Sequence, residues 1–312
     1  MSTRKIVVLG TGGTIAGRSA SAHDNVSYTA AQAGIAELLQ GVPALQGQPL
    51  QVEQVAQIDS KDMDFDVWRA LALRCTHHLE QPDVEGIVIT HGTDTLEETA
   101  FFLHSVLDAR KPVVLTGAMR PATAIAADGP RNLVDAFALA NTPSAHGVMV
   151  VFAGRIHGAE EVAKVHPYRL DAFDSGDAGV LGHVEEGRAR MVRAWPEHEI
   201  DAAMYLALLA PEQLEWPWVE IVLSHAGASE AIVKALVEQG AQGIVVAATG
   251  NGTVHHALEQ GLMKAQAAGV RVVRATRCAQ GRIVGSSAGA LPALPLSPVK
   301  ARIELMLQLM RR

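Results

Sequence analysis

The sequence predicts an α/β fold with a larger, mostly parallel N-terminal α/β domain and a smaller C-terminal α/β domain. Short β-branched runs alternate with helical patterns along the chain, and these runs lack polar alternation, as strands buried in parallel sheets do. The length of 312 residues exceeds that of one typical domain, which is roughly 150 residues. We expect an N-terminal domain over 1–192, a linker over 193–217 and a C-terminal domain over 218–312.

Four apolar runs predict the strands of the first domain: "KIVVLG", "GIVITH", "KPVVLTG" and "GVMVVFAG". Helical patterns follow at 29–40, 66–80, 95–107 and 130–140. The third helix starts with Thr95 and Glu98 in capping-box spacing, and the fourth has Pro130 in its first turn. The alternation breaks after residue 152.

Three more strands are predicted in the second domain, at "VEIVLSH", "GIVVAAT" and "VRVVRATR". Helices are expected near 228–239 and 253–267, and a last one runs from Ser297-Pro298 to about residue 310.

Composition favours a small-molecule ligand. The net charge is -7 and the basic residues are not clustered, which argues against nucleic acid or an anionic membrane as the partner. Cys75 and Cys278 are too far apart for a disulfide framework or a zinc knuckle. The first apolar run, Ile6 to Leu9, is shorter than the roughly 7 residues that a signal peptide needs. We therefore expect a cytoplasmic protein.

Polar loops follow three of the predicted strands: "GTGGTIAG", "THGTDTLEE" and "TGAMRP". In open α/β sheets the ligand lies at the carboxyl ends of the strands, so these loops should line the site. Their glycines allow backbone N–H groups to approach an oxyanion. Asp94 adds a carboxylate, which repels a phosphate and attracts an ammonium group. The combination fits a zwitterionic amino acid.

The residues alone leave other readings open. Gly10-Thr11-Gly12 follows a strand as in a dinucleotide-binding turn, although Ile15 occupies the third glycine position. A polar segment, 17–32, stands where that turn would be followed by a strand ending in an acidic residue. Threonine and glycine are also ordinary turn residues without catalytic function.

The paired motifs "TGGTIAG" and "THGTDTLEETA" resemble those of the bacterial-type L-asparaginases. The resemblance continues through "IDSKDM", "KPVVLTGAMRP", "ADGPRNL", "HGAEEVAKV" and "ATGNGTV" and covers nearly the whole chain. It implies hydrolysis of L-asparagine to aspartate and ammonia without a metal or organic cofactor. It also implies a homotetramer built as a dimer of intimate dimers.

The resemblance implies five catalytic residues. Thr14 aligns with the nucleophile, and Tyr28 with the base that a mobile lid over 17–32 supplies. The second group comprises Thr93, Asp94 and Lys164.

The resemblance also implies a substrate-binding set. Ser60 would contact the α-carboxylate, Asp94 the α-ammonium and the Ala118 carbonyl the amide nitrogen, while the Thr93 N–H would stabilise the oxyanion. The full set is Gly13, Ser60, Lys61, Gly92, Thr93, Asp94, Ala118 and Asn251.

Two departures from the family pattern concern substrate recognition. Lys61 stands where glutamine is frequent, and we expect it to add a positive charge near the substrate carboxylate. The loop 278–291, "CAQGRIVGSSAGAL", has no acidic residue, although many members supply one there from the neighbouring subunit. We expect Asn251, with Ser286 or Ser287, to complete that side.

Alternative functions remain at this stage. The chain could be a glutaminase-asparaginase, an amidohydrolase for another amide, a subunit that releases ammonia for transamidation, or a non-enzymatic amino-acid-binding or nucleotide-binding module. The pairs His77-His78 and His255-His256 lack the spacing of a zinc helix, so no metal is expected. We expect His91 to shape its loop.

Overall fold

The computed structural model describes residues 4–197, 200–285 and 291–311, in two compact units that divide between Ala210 and Pro211. The strands of the first unit are β1 (Lys5–Gly12), β2 (Arg18–Ser19), β3 (Tyr28–Thr29), β4 (Leu50–Ile58), β5 (Val84–Thr90), β6 (Pro112–Thr116), β7 (Gly147–Phe152), β8 (Arg155–Gly158), β9 (Ala163–Lys164), β10 (Phe173–Asp174), β11 (Gly182–Glu185) and β12 (Arg188–Met191). Its helices are α1 (Ile35–Gln40), α2 (Phe65–Leu79), α3 (Leu96–Val106), α4 (Gly129–Ala140) and α5 (Ala202–Leu209).

Eight of these strands form one mixed sheet in the order β12-β11-β8-β7-β6-β5-β1-β4. The strands β4, β1, β5, β6 and β7 are parallel, whereas β8, β11 and β12 pair antiparallel beyond β7. The predicted α/β class with a mostly parallel sheet is confirmed. The break in rhythm after residue 152 corresponds to the antiparallel hairpins.

Both faces of the parallel strands are covered. Val8, Val88 and Val114 belong to the core cluster that α1 and α4 cover. The alternate residues Val7 and Ile87 point to the other face and are also fully buried. Helices α2 and α3 pack on each other and on strands of the sheet. Burial on both faces explains why these strands read as continuous apolar runs.

Three local predictions for the first unit are wrong. The strand β4 was missed because none of its residues is fully buried and polar residues interrupt its apolar ones. The helix expected over 29–40 begins only at Ile35, because 28–29 form β3 and Ala31 adopts a φ of 55°. Thr95 does precede α3, but its side chain makes no capping hydrogen bond.

The segment 193–217 contains α5, which contacts α2 and α3. Arg69 of α2 donates hydrogen bonds to the carbonyl oxygens of Leu209, at 2.7 Å, and Ala210, at 2.8 Å. These bonds hold the end of α5 against the first unit.

The second unit has a three-stranded parallel sheet in the order β13-β14-β15, with β13 (Val219–Leu223), β14 (Gly243–Ala248) and β15 (Arg271–Thr276). Its helices are α6 (Ala231–Glu238), α7 (His256–Ala267) and α8 (Pro298–Met310). Helix α8 packs on all three strands, and Ile303, Met306 and Leu307 are fully buried. The described helices include none that is long and apolar enough to cross a membrane.

Candidate functional site

Three loops of the first unit follow the carboxyl ends of neighbouring parallel strands. After β1 come Gly13 and a 3-10 turn over Thr14–Ala16, and after β4 a 3-10 turn over Ser60–Asp62. The loop 91–95 follows β5. Since β1 lies between β4 and β5, the three loops meet at one edge of the sheet.

The contact between these loops requires glycine at two positions. A Cβ on Gly13 would lie 2.3 Å from the Cα of Gly92, and Gly13 has a φ of 81°. A Cβ on Gly92 would lie 2.4 Å from the Oγ of Ser60. Any side chain at either position would separate the loops, so the glycines of both motifs bring their threonines together.

Thr14 is nearly buried and its Oγ1 lies 2.7 Å from the phenol oxygen of Tyr28. Tyr28 belongs to β3, which pairs with β2 in a short antiparallel hairpin. Burial raises the pKa of Tyr28, as do the carboxylates of Asp59 and Asp94 more weakly, while the hydrogen bond to Thr14 opposes them. The phenol is therefore protonated at neutral pH and can take a proton from Thr14 only while passing on its own.

Lys164 connects the second threonine to a carboxylate. Its Nζ donates to Thr93 Oγ1 at 2.8 Å and to Asp94 Oδ1 at 2.6 Å. An ammonium group can only donate, so Thr93 accepts this bond and its own hydroxyl hydrogen is left to donate elsewhere. The Lys164 backbone N–H donates to Glu97 Oε2 at 2.5 Å, which fixes the short strand β9 beside the loop.

Ser60 is buried against the loop after β5. The Asp94 N–H donates to Ser60 Oγ at 3.2 Å, and the Thr95 hydroxyl donates to the Ser60 carbonyl at 2.7 Å. The hydroxyl that was expected to cap α3 thus joins the loop after β4 to the loop after β5. Asp94 is more than half exposed, so its second carboxylate oxygen is open to a ligand.

The Ala118 segment after β6 is held by two residues of the "ADGPRNL" segment. The Asp128 carboxylate accepts the N–H of Met119 at 2.9 Å and that of Arg120 at 3.0 Å. The Asn132 amide donates to the Gly117 carbonyl at 2.9 Å. Burial raises the pKa of Asp128, and its hydrogen bonds oppose that shift. These bonds set the direction of the backbone around Ala118.

The Gly117 position also touches the loop after β5, because a Cβ there would lie 2.4 Å from the His91 carbonyl oxygen. The first unit therefore gathers the predicted residues Gly13, Thr14, Tyr28, Ser60, Gly92, Thr93, Asp94, Ala118 and Lys164 through direct or adjacent contacts.

Lys61 directs its ammonium group to carboxylates of its own turn. It pairs with Asp62, and its Nζ lies 3.9 Å from Asp59 Oδ2. The hydrogen bond that Lys61 donates to the Asp62 carboxylate raises the pKa of Lys61. A contact of Lys61 with a substrate carboxylate stays a prediction.

Asn251 belongs to the second unit. The nitrogen and the oxygen of its side-chain amide both form hydrogen bonds with the backbone of one residue, Val284. The amide nitrogen donates to the Val284 carbonyl at 2.9 Å, and the Val284 N–H donates to the amide oxygen at 2.8 Å. Asn251 thus fixes the backbone at Val284, in the described segment 278–285. Ser286 and Ser287 lie outside the described residues.

His78, of the pair His77-His78, forms side-chain contacts within the first unit. His78 Nε2 lies 3.1 Å from Glu53 Oε2 and 3.3 Å from Arg74 Nη2, between α2 and β4. Burial lowers the pKa of His78. Within the described ranges, no three His, Cys, Asp or Glu side chains are arranged to hold a metal ion.

Sequence reasoning missed the residues that support the site from behind, namely Glu97, Thr99, Asp128, Asn132 and Trp68. Thr99 offered one signal, because it lies three residues after Leu96 and four before Leu103, on the apolar face of α3. Its partners come from other elements, so their identity needed the tertiary structure.

Comparisons with known proteins cover both units. A family model described as "Asparaginase, N-terminal" matches residues 5–197, and one described as "Glutaminase/Asparaginase C-terminal domain" matches residues 218–312. The chain is 38% identical over 311 residues to "L-asparaginase 2" of Bacillus subtilis, an alignment that covers 97% of this chain and 82% of the relative.

A "Glutaminase-asparaginase" of Pseudomonas fluorescens biotype A is also 38% identical, over 97% of this chain and 86% of the relative. A solved structure, "Crystal Structure of Probable Cytoplasmic L-asparaginase from Campylobacter jejuni", superposes with a TM-score of 0.90 at 37% identity, covering 99% of this chain and 96% of that one.

Proposed function

This chain belongs to the asparaginase family, and from that premise we propose that it is an amidohydrolase that converts L-asparagine to L-aspartate and ammonia. One observation carries the proposal. Two threonine hydroxyls lie on adjacent loops at the strand ends, and each has a proton-handling partner, Tyr28 for Thr14 and Lys164 for Thr93.

Thr14 is the nucleophile of the first half-reaction. Its Oγ1 attacks the side-chain carbonyl carbon, and its proton passes to the Tyr28 oxygen as the phenol gives its own proton to the leaving nitrogen. The C–N bond breaks, ammonia leaves and an ester forms between Thr14 and the aspartyl group. This shuttle suits Tyr28 because its raised pKa keeps the phenol protonated.

Water completes the second half-reaction. The water attacks the ester carbonyl, and its proton returns to the Thr14 oxygen as the ester bond breaks. Thr93 orients this water with its hydroxyl, which Lys164 fixes by donating to Thr93 Oγ1. The Lys164 cation beside Asp94 also supplies positive charge near the developing oxyanion.

Substrate recognition rests on groups around the same edge. The exposed oxygen of Asp94 binds the α-ammonium, Ser60 binds the α-carboxylate and the Ala118 carbonyl accepts from the amide nitrogen. Glycines 13 and 92 allow backbone N–H groups to approach the reacting carbonyl. Lys61, and Asn251 from the neighbouring subunit, are proposed to complete recognition of the charged end.

Ammonia release from L-asparagine and L-glutamine, measured side by side over a range of concentrations, tests this function. We expect turnover of L-asparagine with a lower KM than for L-glutamine, as the proposed assignment requires. Equal kcat/KM for both amides would favour the second candidate function, that of a glutaminase-asparaginase. The 38% identity to the Pseudomonas "Glutaminase-asparaginase" is the observation that favours this candidate. Release from neither amide would overturn the assignment.

We further propose a homotetramer of intimate dimers in the cytoplasm. The family resemblance supports the assembly, and the likeness to the Campylobacter protein supports the compartment. Light scattering coupled to size exclusion should give four times the mass of 33.0 kDa. Fractionation should recover the activity with cytoplasmic markers, and recovery with periplasmic markers would contradict the compartment.

A further inference from the structure

A buried chain of hydrogen bonds lies beneath the loop that carries Thr93. The indole N–H of Trp68, on α2, donates to Thr99 Oγ1 at 2.9 Å. Thr99, on α3, lies 2.9 Å from His91 Nε2, and His91 Nδ1 lies 2.6 Å from the Gly92 carbonyl oxygen. Trp68 is 3% exposed, and Thr99 and His91 are completely buried.

The chemistry of these groups sets the direction of every bond. The Gly92 carbonyl oxygen only accepts, so the proton of the neutral His91 ring is on Nδ1 and Nε2 is an acceptor. The Thr99 hydroxyl therefore donates to His91 Nε2, and its oxygen accepts from the indole N–H of Trp68, which only donates. Burial lowers the pKa of His91 to about 4, so the ring is neutral at pH 7.

The chain ends at the peptide bond between Gly92 and Thr93. This bond is trans, since the structure has no cis peptides among the residues described. In a trans peptide the C=O and N–H point in opposite directions. Because the Gly92 carbonyl points to the buried His91 ring, the Thr93 N–H points away from it. Within the described part of the chain, no acceptor pairs with that N–H.

We propose that Trp68, Thr99 and His91 are positioning residues that aim the Thr93 N–H at the oxyanion and strengthen it as a donor. The inference rests on the proposed amide hydrolysis. Every member of the chain donates toward the next, from the indole to the Gly92 carbonyl. Hydrogen bonds aligned in this way polarise one another by roughly 10–30% per bond.

The polarisation matters only when negative charge develops on the substrate oxygen. The ground-state amide gains little from a stronger donor, whereas the tetrahedral intermediate gains more. Loss of this hydrogen-bond chain should therefore lower kcat and leave KM almost unchanged. A purely structural role in folding would instead lower the amount of active protein or alter both constants.

Thr99→Val tests the chain with a side chain of the same shape. Deleting a whole oxyanion donor typically costs about 10²–10³ in rate, and this variant only weakens one. We expect a roughly tenfold lower kcat for L-asparagine, with KM and the Kd of L-aspartate within about twofold of wild type. Thr99→Ser should restore kcat to within about twofold. Trp68→Phe removes only the outermost donor and should lower kcat roughly threefold.

Ser105→Ala is the matched control. Ser105 is a buried hydroxyl on the same helix, and it donates to the Phe101 carbonyl of that helix at 2.8 Å. Loss of the Ser105 hydroxyl perturbs the helix but leaves the hydrogen bonds from Trp68 to Gly92 in place. We expect wild-type kcat for this variant. Equal kcat in Thr99→Val and Ser105→Ala, or a loss expressed in KM alone, would overturn the proposal.

The hydrogen-bond directions can be tested without turnover. Nitrogen NMR of protein labelled at histidine, with His91 assigned by its absence in His91→Gln, should show the Nδ1–H tautomer in wild type. Thr99→Val should keep this tautomer, because the Gly92 carbonyl still accepts from Nδ1, and should shift the Nε2 resonance, which has lost its hydrogen-bond donor. The Nε2–H tautomer in wild type would overturn the chain even if L-asparagine turnover is normal. Absence of turnover together with the expected tautomer would refute the proposed function, and it would leave the assigned hydrogen-bond directions standing.

Discussion

The two threonine hydroxyls of the candidate site are held by different kinds of structure. Thr14 meets Tyr28, which comes from a two-residue strand in a largely exposed hairpin. Thr93 meets Lys164, whose contacts to Asp94 and Glu97 adjoin a loop supported by the buried His91. The first pair depends on the position of a surface segment, and the second belongs to the framework of the sheet and its helices.

The difference separates two tasks in the proposed reaction. A nucleophile and its proton shuttle must admit substrate, so an adjustable hairpin suits them. An oxyanion donor and a cation act best when they are preorganised, because they then need no rearrangement during the reaction. Substitutions on the two sides should therefore have different kinetic signatures.

Thr14→Ala gives the largest expected effect. Removing the attacking oxygen should lower kcat by about 10³-fold or more, because the remaining groups can only bind and polarise the amide. Steady-state ammonia release measures the loss. Circular dichroism and L-aspartate binding should match wild type. Activity close to wild type would exclude Thr14 as the nucleophile and direct attention to Thr93.

Lys164→Met should lower kcat by about 10²–10³-fold and change KM by no more than a few-fold, because the cation acts on charge that develops during the reaction. Lys234→Met, which removes an exposed lysine of α6 whose Nζ lies 3.8 Å from Glu238, is the matched control and should keep wild-type kcat. An effect of Lys164→Met on KM alone would reassign Lys164 to substrate binding.

Low pH should lower the free energy of unfolding through the buried side chain of His91. The pKa of His91 falls from 6.5 to about 4 on folding because of burial, so unfolded chains bind the proton first as the pH drops. The contribution of His91 to the free energy of unfolding is complete above pH 6.5 and is lost progressively between pH 6.5 and 4. The total is about 3 kcal/mol.

Urea unfolding at pH 7.5, 5.5 and 4.5, compared between wild type and His91→Gln, isolates this contribution. Wild type should lose more stability than the variant across that window. His157, whose pKa is also lowered to about 4 by burial, is present in both proteins and cancels. The same pH dependence in both proteins would mean that His91 is not a neutral buried ring.

Lys61→Gln has the smallest expected effect. Its ammonium group is exposed and pairs with carboxylates of its own turn, so water and salt screen its field at the substrate. We expect KM for L-asparagine to rise roughly twofold at low salt with kcat unchanged. An unchanged KM would remove Lys61 from the substrate-binding set.

Local sequence patterns predicted the buried strands. They did not predict features that depend on residues far apart in the chain. The strands β1, β5, β6 and β7 were predicted because continuous apolar runs are typical of strands covered on both faces. The strand β4 has no fully buried residue, and polar residues interrupt its apolar ones, so it lacks the continuous apolar run that marks the other strands. Thr95 has the sequence features of a helix cap, yet its hydroxyl meets Ser60, a partner 35 residues away.

Thr11 and Thr14 show the same limit within one motif. Both are hydroxyls in the same glycine-rich motif. Thr11 is in β1, and its hydroxyl donates to the Thr90 carbonyl at 2.9 Å, which joins β1 to β5. Only Thr14 lies beside Tyr28. Family resemblance, rather than spacing, distinguished the two.

The sequence by itself determined the α/β class, the positions of the buried strands along the chain and the loops that follow β1, β5 and β6. These follow from hydrophobic runs and turn residues, which act over a few positions of the chain. Only the tertiary structure decided which hydroxyl meets which partner and which side chains support the loops from behind. Lys164 and Thr93 are 71 residues apart in the chain, and their contact arises from the packing of several elements, a property that no single stretch of sequence contains.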